Sequence, residues 1–185
     1  KRLCTIPIIA SINCYGNGEW AAFAELIEKA GADALELNVM SIRTSVEYND
    51  GDFENQHIDI LRSVKSRIKI PVIVKLGSNL SNPVSLINRL HAYGAAGVVL
   101  FNRFYQPDID IDKMEYTSGH VFSSEADLAP SLRWTGIASA AVKQLDYAVS
   151  GGVHGGNDIV KSILVGASAV EVCSAIYLKG EAWIK

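Results

Sequence analysis

Short apolar runs alternate along this chain with longer stretches in which apolar residues recur every three or four positions. The runs are residues 6–12 (IPIIASI), 34–39 (ALELNV), 71–76 (PVIVKL), 97–101 (GVVLF), 147–150 (YAVS) and 169–173 (AVEVC). Each is short and mostly aliphatic, and glycine or polar residues flank it, which predicts a strand. Most are continuous rather than alternating, as in parallel strands covered on both faces. Between them, residues 19–30 carry Trp20, Phe23, Ala24, Ile27 and Ala30 at helical spacing, and Gly31 stops the pattern. Residues 53–66 predict a second helix, with Ile58, Leu61 and Val64–Lys65 along one side. Asn82-Pro83 opens a third that runs to about Tyr93, with proline suited to a first turn. A fourth starts at Ser131 or Thr135 and reaches about Gln144, and a fifth covers about 157–164. Residues 13–18 read as a loop and 40–52 as polar and irregular. Residues 102–130 form a long polar connection, the mark of a functional loop, a small excursion or a lid.

The order is strand then helix, six times over. The phrases EKAGADALELN, HAYGAAGVVLFN and ILVGASAVEVCS share one form, a helix end, a glycine, small residues and a strand, so the unit repeats. Alternating strands and helices predict an α/β fold, either a barrel or an open doubly wound sheet. Polar residues at the strand ends favour a (β/α)8 barrel, of which about six βα units are present in a single domain over 1–185. About two further units are expected ahead of Lys1.

The segment 150–177 (SGGVHGGNDIVKSILVGASAVEVCSAIY) carries the strongest chemical signal. Gly151, Gly152, Gly155 and Gly156 fall within six residues after a strand, ahead of a helix for which Asn157 and Asp158 are cap candidates. Bare amides beside a helix N-terminus suit an anion. The next strand ends in Cys173-Ser174-Ala175, small residues before a short helix. Two consecutive strand ends offering amides to one phosphate form the phosphate site of many (β/α)8 barrels.

The other polar strand ends are Ser11 and Asn13, Glu36, Asn38 and Ser41, Lys75, and Asn102. Lys75 closes an apolar run, so its ammonium is expected in a shared pocket. There it would neutralise an anionic group or, deprotonated, act as a nucleophile. Asn38 and Asn102 both donate and accept, which suits the edge of a flat heterocycle. Glu36 shares a strand face with Asn38 and is a candidate partner for Lys75. His154 lies in the glycine turn, and His57, His91 and His120 have no metal-ligand spacing. Asp108, Asp110 and Asp112 lack the glycine and closing glutamate of a calcium loop and read as a solvated strand-like edge. The three tryptophans, Trp20, Trp134 and Trp183, are expected to pack.

Composition narrows the partners. Hydrophobic residues make up 49% of the 185, enough for a sizeable core, and the net charge of −3 argues against nucleic acid as a partner. Cys4, Cys14 and Cys173 are odd in number and read as reduced, which predicts a cytoplasmic protein. No run reaches the length of a membrane span, so a membrane is not an expected partner. No signal peptide is read in the sequence.

Taken together, these residues resemble the dihydroorotate dehydrogenase family of FMN-dependent (β/α)8 barrels, over essentially the whole chain. Asn38-Val39-Met40-Ser41 matches the family's Asn-x-x-Cys/Ser element, and Val74-Lys75-Leu76 its V-K-L lysine. Asn102 matches the asparagine after the sixth strand, Gly151-Gly152 the turn after the seventh, and 166–174 the small-residue turn after the eighth. The resemblance implies FMN as cofactor, with Lys75 stabilising negative charge on the reduced flavin. It implies that the amides at Gly151, Gly152, Cys173 and Ser174 hold the phosphate, and that Asn38 and Asn102 bind flavin or substrate. Ser41 takes the place of the base that removes a proton from dihydroorotate while hydride passes to flavin. A serine there is the choice of the quinone-using class, where the cytosolic class uses cysteine. Such barrels are often dimers, so a homodimer is an expected assembly.

Three positions depart from the pattern. Ile42-Arg43 stand where the family has Pro-Asn, Arg103 stands where it has Thr or Ser, and its G-x-S-G element is not recognisable in 114–134. The flavin half of the site is kept and the orotate half altered, with Arg43 and Arg103 as candidates for a different small anionic substrate. Two other functions fit the residues. One is a flavin-free phosphate-binding aldolase or isomerase with Lys75 as Schiff-base nucleophile. The other is a non-catalytic ligand-binding relative.

Overall fold

The structure, a computed structural model, describes residues 5–14, 16 and 18–184. Cys4, Tyr15 and Asn17 lie outside the described residues. Strands β1 (Ile9–Ile12), β2 (Ala34–Val39), β3 (Val72–Gly77) and β4 (Gly97–Asn102) come first, with helices α1 (Glu19–Lys29), α2 (Asp52–Lys65) and α3 (Pro83–Ala92) between them. After β4 the chain makes a hairpin, β5 (Pro107–Asp110) and β6 (Glu115–Ser118). It then returns through α4 (Leu128–Ala141), β7 (Asp146–Val149), α5 (Gly156–Leu164), β8 (Ala169–Val170) and α6 (Ser174–Lys179).

The main sheet has six parallel strands in the order β1-β2-β3-β4-β7-β8. That order follows the chain without reversal. A doubly wound sheet reverses direction at a switch point, so the order settles the choice in favour of a barrel wound one way. Successive helices pack on one another in the same sequence, α1 on α2, α2 on α3, α3 on α4 and α4 on α5. The sheet also curls. The Lys75 ammonium on β3 pairs with the carboxylate of Glu171, just past β8. In a flat sheet these strands would be roughly 14 Å apart, three strand spacings, beyond the reach of the two side chains. The described strands therefore form a curled, partial (β/α)8 barrel.

Side chains along each strand of the main sheet point alternately to its two faces. Leu35, Leu37 and Val39 on β2, with Val72, Val74 and Leu76 on β3, are fully or almost fully buried in the core shared with the helices. The alternate positions, Glu36 and Asn38 on β2 with Ile73 and Lys75 on β3, share the other, concave face. Register puts Ser11 beside Glu36 and Asn38 beside Lys75.

Three expectations need correction. The first strand is shorter than 6–12, and it is not buried: Ile9 is 54% exposed, because β1 is an edge of the sheet. The last strand pairs only over two residues, although the Glu171 amide extends the ladder to the Val149 carbonyl at 2.8 Å. Helix α4 begins at Leu128, not Ser131, because Ser124 and Asp127 form a capping box one turn earlier and Pro130 falls in the first turn. Ser131 is instead a buried helix residue whose hydroxyl donates to the Ser150 carbonyl at 2.9 Å. The long connection is an excursion, and Asp108 and Asp110 sit on its solvated hairpin edge. Trp20 is buried and Trp134 packs against the core.

Candidate functional site

A cleft of about 410 Å³ opens at the C-terminal ends of the strands. Met40, Lys75, Phe101, Asn102 and Arg103 line one side, and Ser150, Gly151, Gly152, Glu171, Cys173 and Ser174 the other. The return of the excursion, through His120, Val121 and Ser123, closes over it. Its size falls within the roughly 300–1,000 Å³ of small-molecule and cofactor sites. Six of the eight residues expected from the sequence line this one cleft: Lys75, Asn102, Gly151, Gly152, Cys173 and Ser174. Asn38 stands next to it, its side-chain oxygen accepting from Asn102 Nδ2 at 2.6 Å.

Ser41 does not line the cleft, although Met40 before it does. Its hydroxyl donates to Gln56 Oε1 at 3.3 Å, and its carbonyl accepts from Asn79 at 3.2 Å. Arg43 also donates to Gln56, at 2.7 Å, and lines an outer groove with Tyr48 and Asp52. Arg43 and Arg103, expected from the sequence as candidates for one anionic substrate, are thus separated. Arg103 belongs to the cleft, where it donates to the Val121 carbonyl at 3.0 Å and lies 3.7 Å from Asp127.

The glycine turn is held open by packing. Gly151 and Gly152 have φ of 89° and 73°, a conformation that side chains rarely adopt. A Cβ on Gly152 would lie 2.8 Å from Asp127 C and Leu128 Cα, and closer still to Leu128 N. The start of α4 therefore presses directly on the turn. The amides of Gly151 and Gly152 find no acceptor among the described residues, as a cradle for an anion requires. The start of α5 is different. Asp158 Oδ2 accepts from the amides of His154 and Gly155 at 3.1 Å each, and Lys161 pairs with the same carboxylate. Burial raises the Asp158 pKa, but these donors outweigh it and hold the group below its ordinary value. Asp158 is thus the cap, Asn157 is exposed, and the carboxylate already satisfies that helix end. Amides left open to an anion among the described residues include those of Gly151, Gly152 and the strand end at 173–174.

Ser174 is tied to the excursion. Its hydroxyl accepts from the Ser123 amide at 3.1 Å and the Ser123 hydroxyl at 3.0 Å, and Ser123 also meets His154 Nε2 at 3.2 Å. His154 is therefore half-buried and tied to Ser123 of the cleft wall rather than a free surface histidine. Among the described residues no cluster has the makings of a metal site.

The concave face holds one ionic cluster. The Lys75 ammonium pairs with Glu171 and lies 3.9 Å from Glu36. Ser11 donates to Glu36 at 2.5 Å. Burial, and next the neighbouring Glu171, push the Glu36 carboxyl up to about 7. Burial acts on Glu171 too, but a hydrogen bond from Glu36 and the Lys75 charge outweigh it and hold its carboxyl below the ordinary value. Of the two neighbouring carboxyls, Glu36 is the one that binds a proton more readily and Glu171 the one that gives it up. Glu36 was foreseen as a partner of Lys75, whereas Glu171 was missed. Its signal is a carboxylate inside an apolar run, VEV, the same signal that LEL gives for Glu36.

A family model described as dihydroorotate dehydrogenase matches residues 1–185. The chain is 31% identical over 186 residues to the catalytic subunit of dihydroorotate dehydrogenase B (NAD(+)) of Methanosarcina acetivorans, covering 96% of this chain and 58% of that protein. It is 30% identical over 187 residues to a putative dihydroorotate dehydrogenase A (fumarate) of Aeropyrum pernix, covering 95% and 58%. The chain thus spans about 58% of the length of these relatives. The crystal structure of ligand-free DHODH from Eimeria tenella superposes with a TM-score of 0.67 at 20% identity, covering 91% of this chain and 53% of that one. The ferulenol complex from the same organism gives 0.65 at 20% identity, covering 89% and 50%.

Proposed function

The chain belongs to the dihydroorotate dehydrogenase family, and on that premise we propose that it is an FMN-dependent oxidoreductase acting on dihydroorotate or a related small anionic substrate. The observation that carries this reading is the placement of Lys75, Asn102 and the open Gly151-Gly152 amides in one cleft of cofactor size. The residues fit FMN. Two free amides on a turn that α4 keeps clear of side chains suit its phosphate, and Lys75 with the Asn38–Asn102 pair suits the polar edge of its ring. The bound flavin would supply the hydride acceptor. The protein's own part would be to bind the phosphate, orient the ring edge, and hold a charge balance beneath it through Lys75.

Ser41, next to the cleft wall at Met40, is proposed as the base that takes the substrate proton. Its hydroxyl needs a helper at neutral pH, and Gln56, its partner here, orients it without being basic. The relatives' names carry NAD(+) and fumarate as acceptors, whereas a serine at this position resembles the quinone-using class. Acceptor assays with these three oxidants separate the two lines. Cysteines read as reduced support a cytoplasmic site of action. The aldolase alternative loses ground, because the Lys75 ammonium is paired with the Glu171 carboxylate, the arrangement of an electrostatic partner rather than of a free amine nucleophile.

The test is the visible spectrum of the full-length protein, before and after anaerobic addition of dihydroorotate. An oxidised-flavin spectrum that bleaches supports cofactor and substrate together. A flavin that stays oxidised keeps the cofactor and discards dihydroorotate. Failure to take up FMN on reconstitution refutes the reading. Ser41→Ala is expected to retain FMN and to bleach at least 100-fold more slowly, on the order expected for loss of a general base.

A further inference from the structure

Lys75 does not enter the cleft as a free positive charge. It is 16% exposed, its ammonium is paired with Glu171, and Glu36 stands behind it. The paired ammonium and Glu171 carboxylate offset each other's charge. We propose that Glu171 is a positioning residue that acts through Lys75, fixing the ammonium across the barrel mouth and cancelling its charge toward the flavin ring. This deepens the reading of the protein as an FMN enzyme and rests on it.

The geometry supports the role in three ways. Glu171 lines the cleft itself, unlike Glu36, and its side chain is 33% exposed. Glu171 follows β8, so its bond to β3 spans the concave face past β4 and β7 and fixes where the ammonium stands. The residue also immediately precedes Val172-Cys173-Ser174, the strand end proposed to meet the phosphate, so one short segment would touch both ends of the cofactor. A lone lysine at this place would stabilise the electron-rich, anionic form of the flavin over the oxidised form. A lysine already paired does so less, and the flavin is held at a lower potential.

The test uses the full-length protein reconstituted with FMN. Affinity for oxidised FMN is read from quenching of flavin fluorescence, and the midpoint potential from equilibration with reference dyes at pH 6. Glu171→Gln and Glu171→Ser both remove the charge, and Glu171→Asp keeps it. At an effective dielectric of about 20, a unit charge this close is worth on the order of tenfold in the preference for reduced over oxidised flavin. For a two-electron couple that is a rise of about 30 mV. Both neutral variants are expected to show it, and the aspartate variant to stay near the wild type. Neutral variants that keep the wild-type potential overturn the proposal while leaving the FMN reading intact. So does an aspartate variant that shifts as far as the glutamine one, because geometry rather than charge would then be responsible. A wild-type protein that takes up no FMN overturns both.

Discussion

Replacing Gly152 by alanine should damage this protein far more than the same change at Gly151, although the two are adjacent and both have positive φ. The backbone cost is common to both. Holding an alanine in the left-handed region costs about 1–2 kcal/mol. The packing cost is not shared. At Gly151 the nearest atom to a new methyl is the Phe101 carbonyl oxygen at 3.8 Å, an ordinary contact. At Gly152 the methyl would lie 2.8 Å from two backbone atoms at the start of α4, and nearer to a third. Backbone cannot rotate aside as a side chain can, so the helix start must shift, and overpacking of this kind costs about 1–3 kcal/mol more. Gly151→Ala should therefore lose about 1–2 kcal/mol and Gly152→Ala about 2–5 kcal/mol. For a chain of this size each kcal/mol lowers Tm by roughly 2–4 °C. Urea unfolding and thermal melts of both variants, with wild type alongside, measure the difference. Equal losses at the two positions would refute the claim that α4 presses on the turn. FMN affinity should fall in both, since each disturbs the amides proposed to hold the phosphate.

Three further outcomes follow from the ionic cluster and the core. Glu36 keeps its proton to about 7 in the folded protein, against an ordinary 4.5; the native state then binds more protons than the unfolded one, so stability should fall as pH rises from about 4.5 through 7. Glu36→Gln should remove up to about 3 kcal/mol of that fall, and urea titrations at pH 5, 6 and 7.5 that run parallel for both proteins would count against the assignment. Lys75→Met leaves the two carboxyls facing each other and should cost about 3 kcal/mol, more at pH 8 than at pH 5, as well as weakening FMN binding. The Tyr147 hydroxyl donates to the Ala138 and Val142 carbonyls at 3.0 and 2.9 Å at the end of α4, and burial pushes its pKa up to about 12. Tyr147→Phe should lose about 1–2 kcal/mol, and the phenol should not ionise in ultraviolet titration below about pH 11 while the protein stays folded.

Much of this was legible in the residues, for identifiable reasons. The strand β2 falls where ALELNV places it, because a continuous aliphatic run between Gly31 and a polar segment has few other ways to be buried. The lysine, the second asparagine and the glycine pair converge on one cleft because all three end parallel strands, and the fold brings those ends to one rim. What failed to show depends partly on a local cap and partly on contacts distant in sequence. Helix α4 starts a turn early because Ser124 and Asp127 cap each other. Glu171 reads as an isolated polar residue until the curl of the sheet brings Lys75, 96 positions away, against it. Ser41 follows the right motif, yet it turns toward Gln56 on α2, a choice made by the loop and invisible in the spacing.

The hairpin of β5 and β6 shares no ladder with the six-stranded sheet. It is anchored at its base, where Gly119 donates to the Gln106 carbonyl at 3.1 Å and Tyr105 to that of Thr117 at 3.3 Å, while Ile111 and Met114 at the tip are more than 80% exposed. Its two strands pair only with each other. Its tip can be lengthened, exchanged or made to carry a dye at position 113 without disturbing the barrel's hydrogen-bond register. Its base runs directly into Ser123 and from there to Ser174, so such a dye would sense, from outside, whether the cleft beneath is filled.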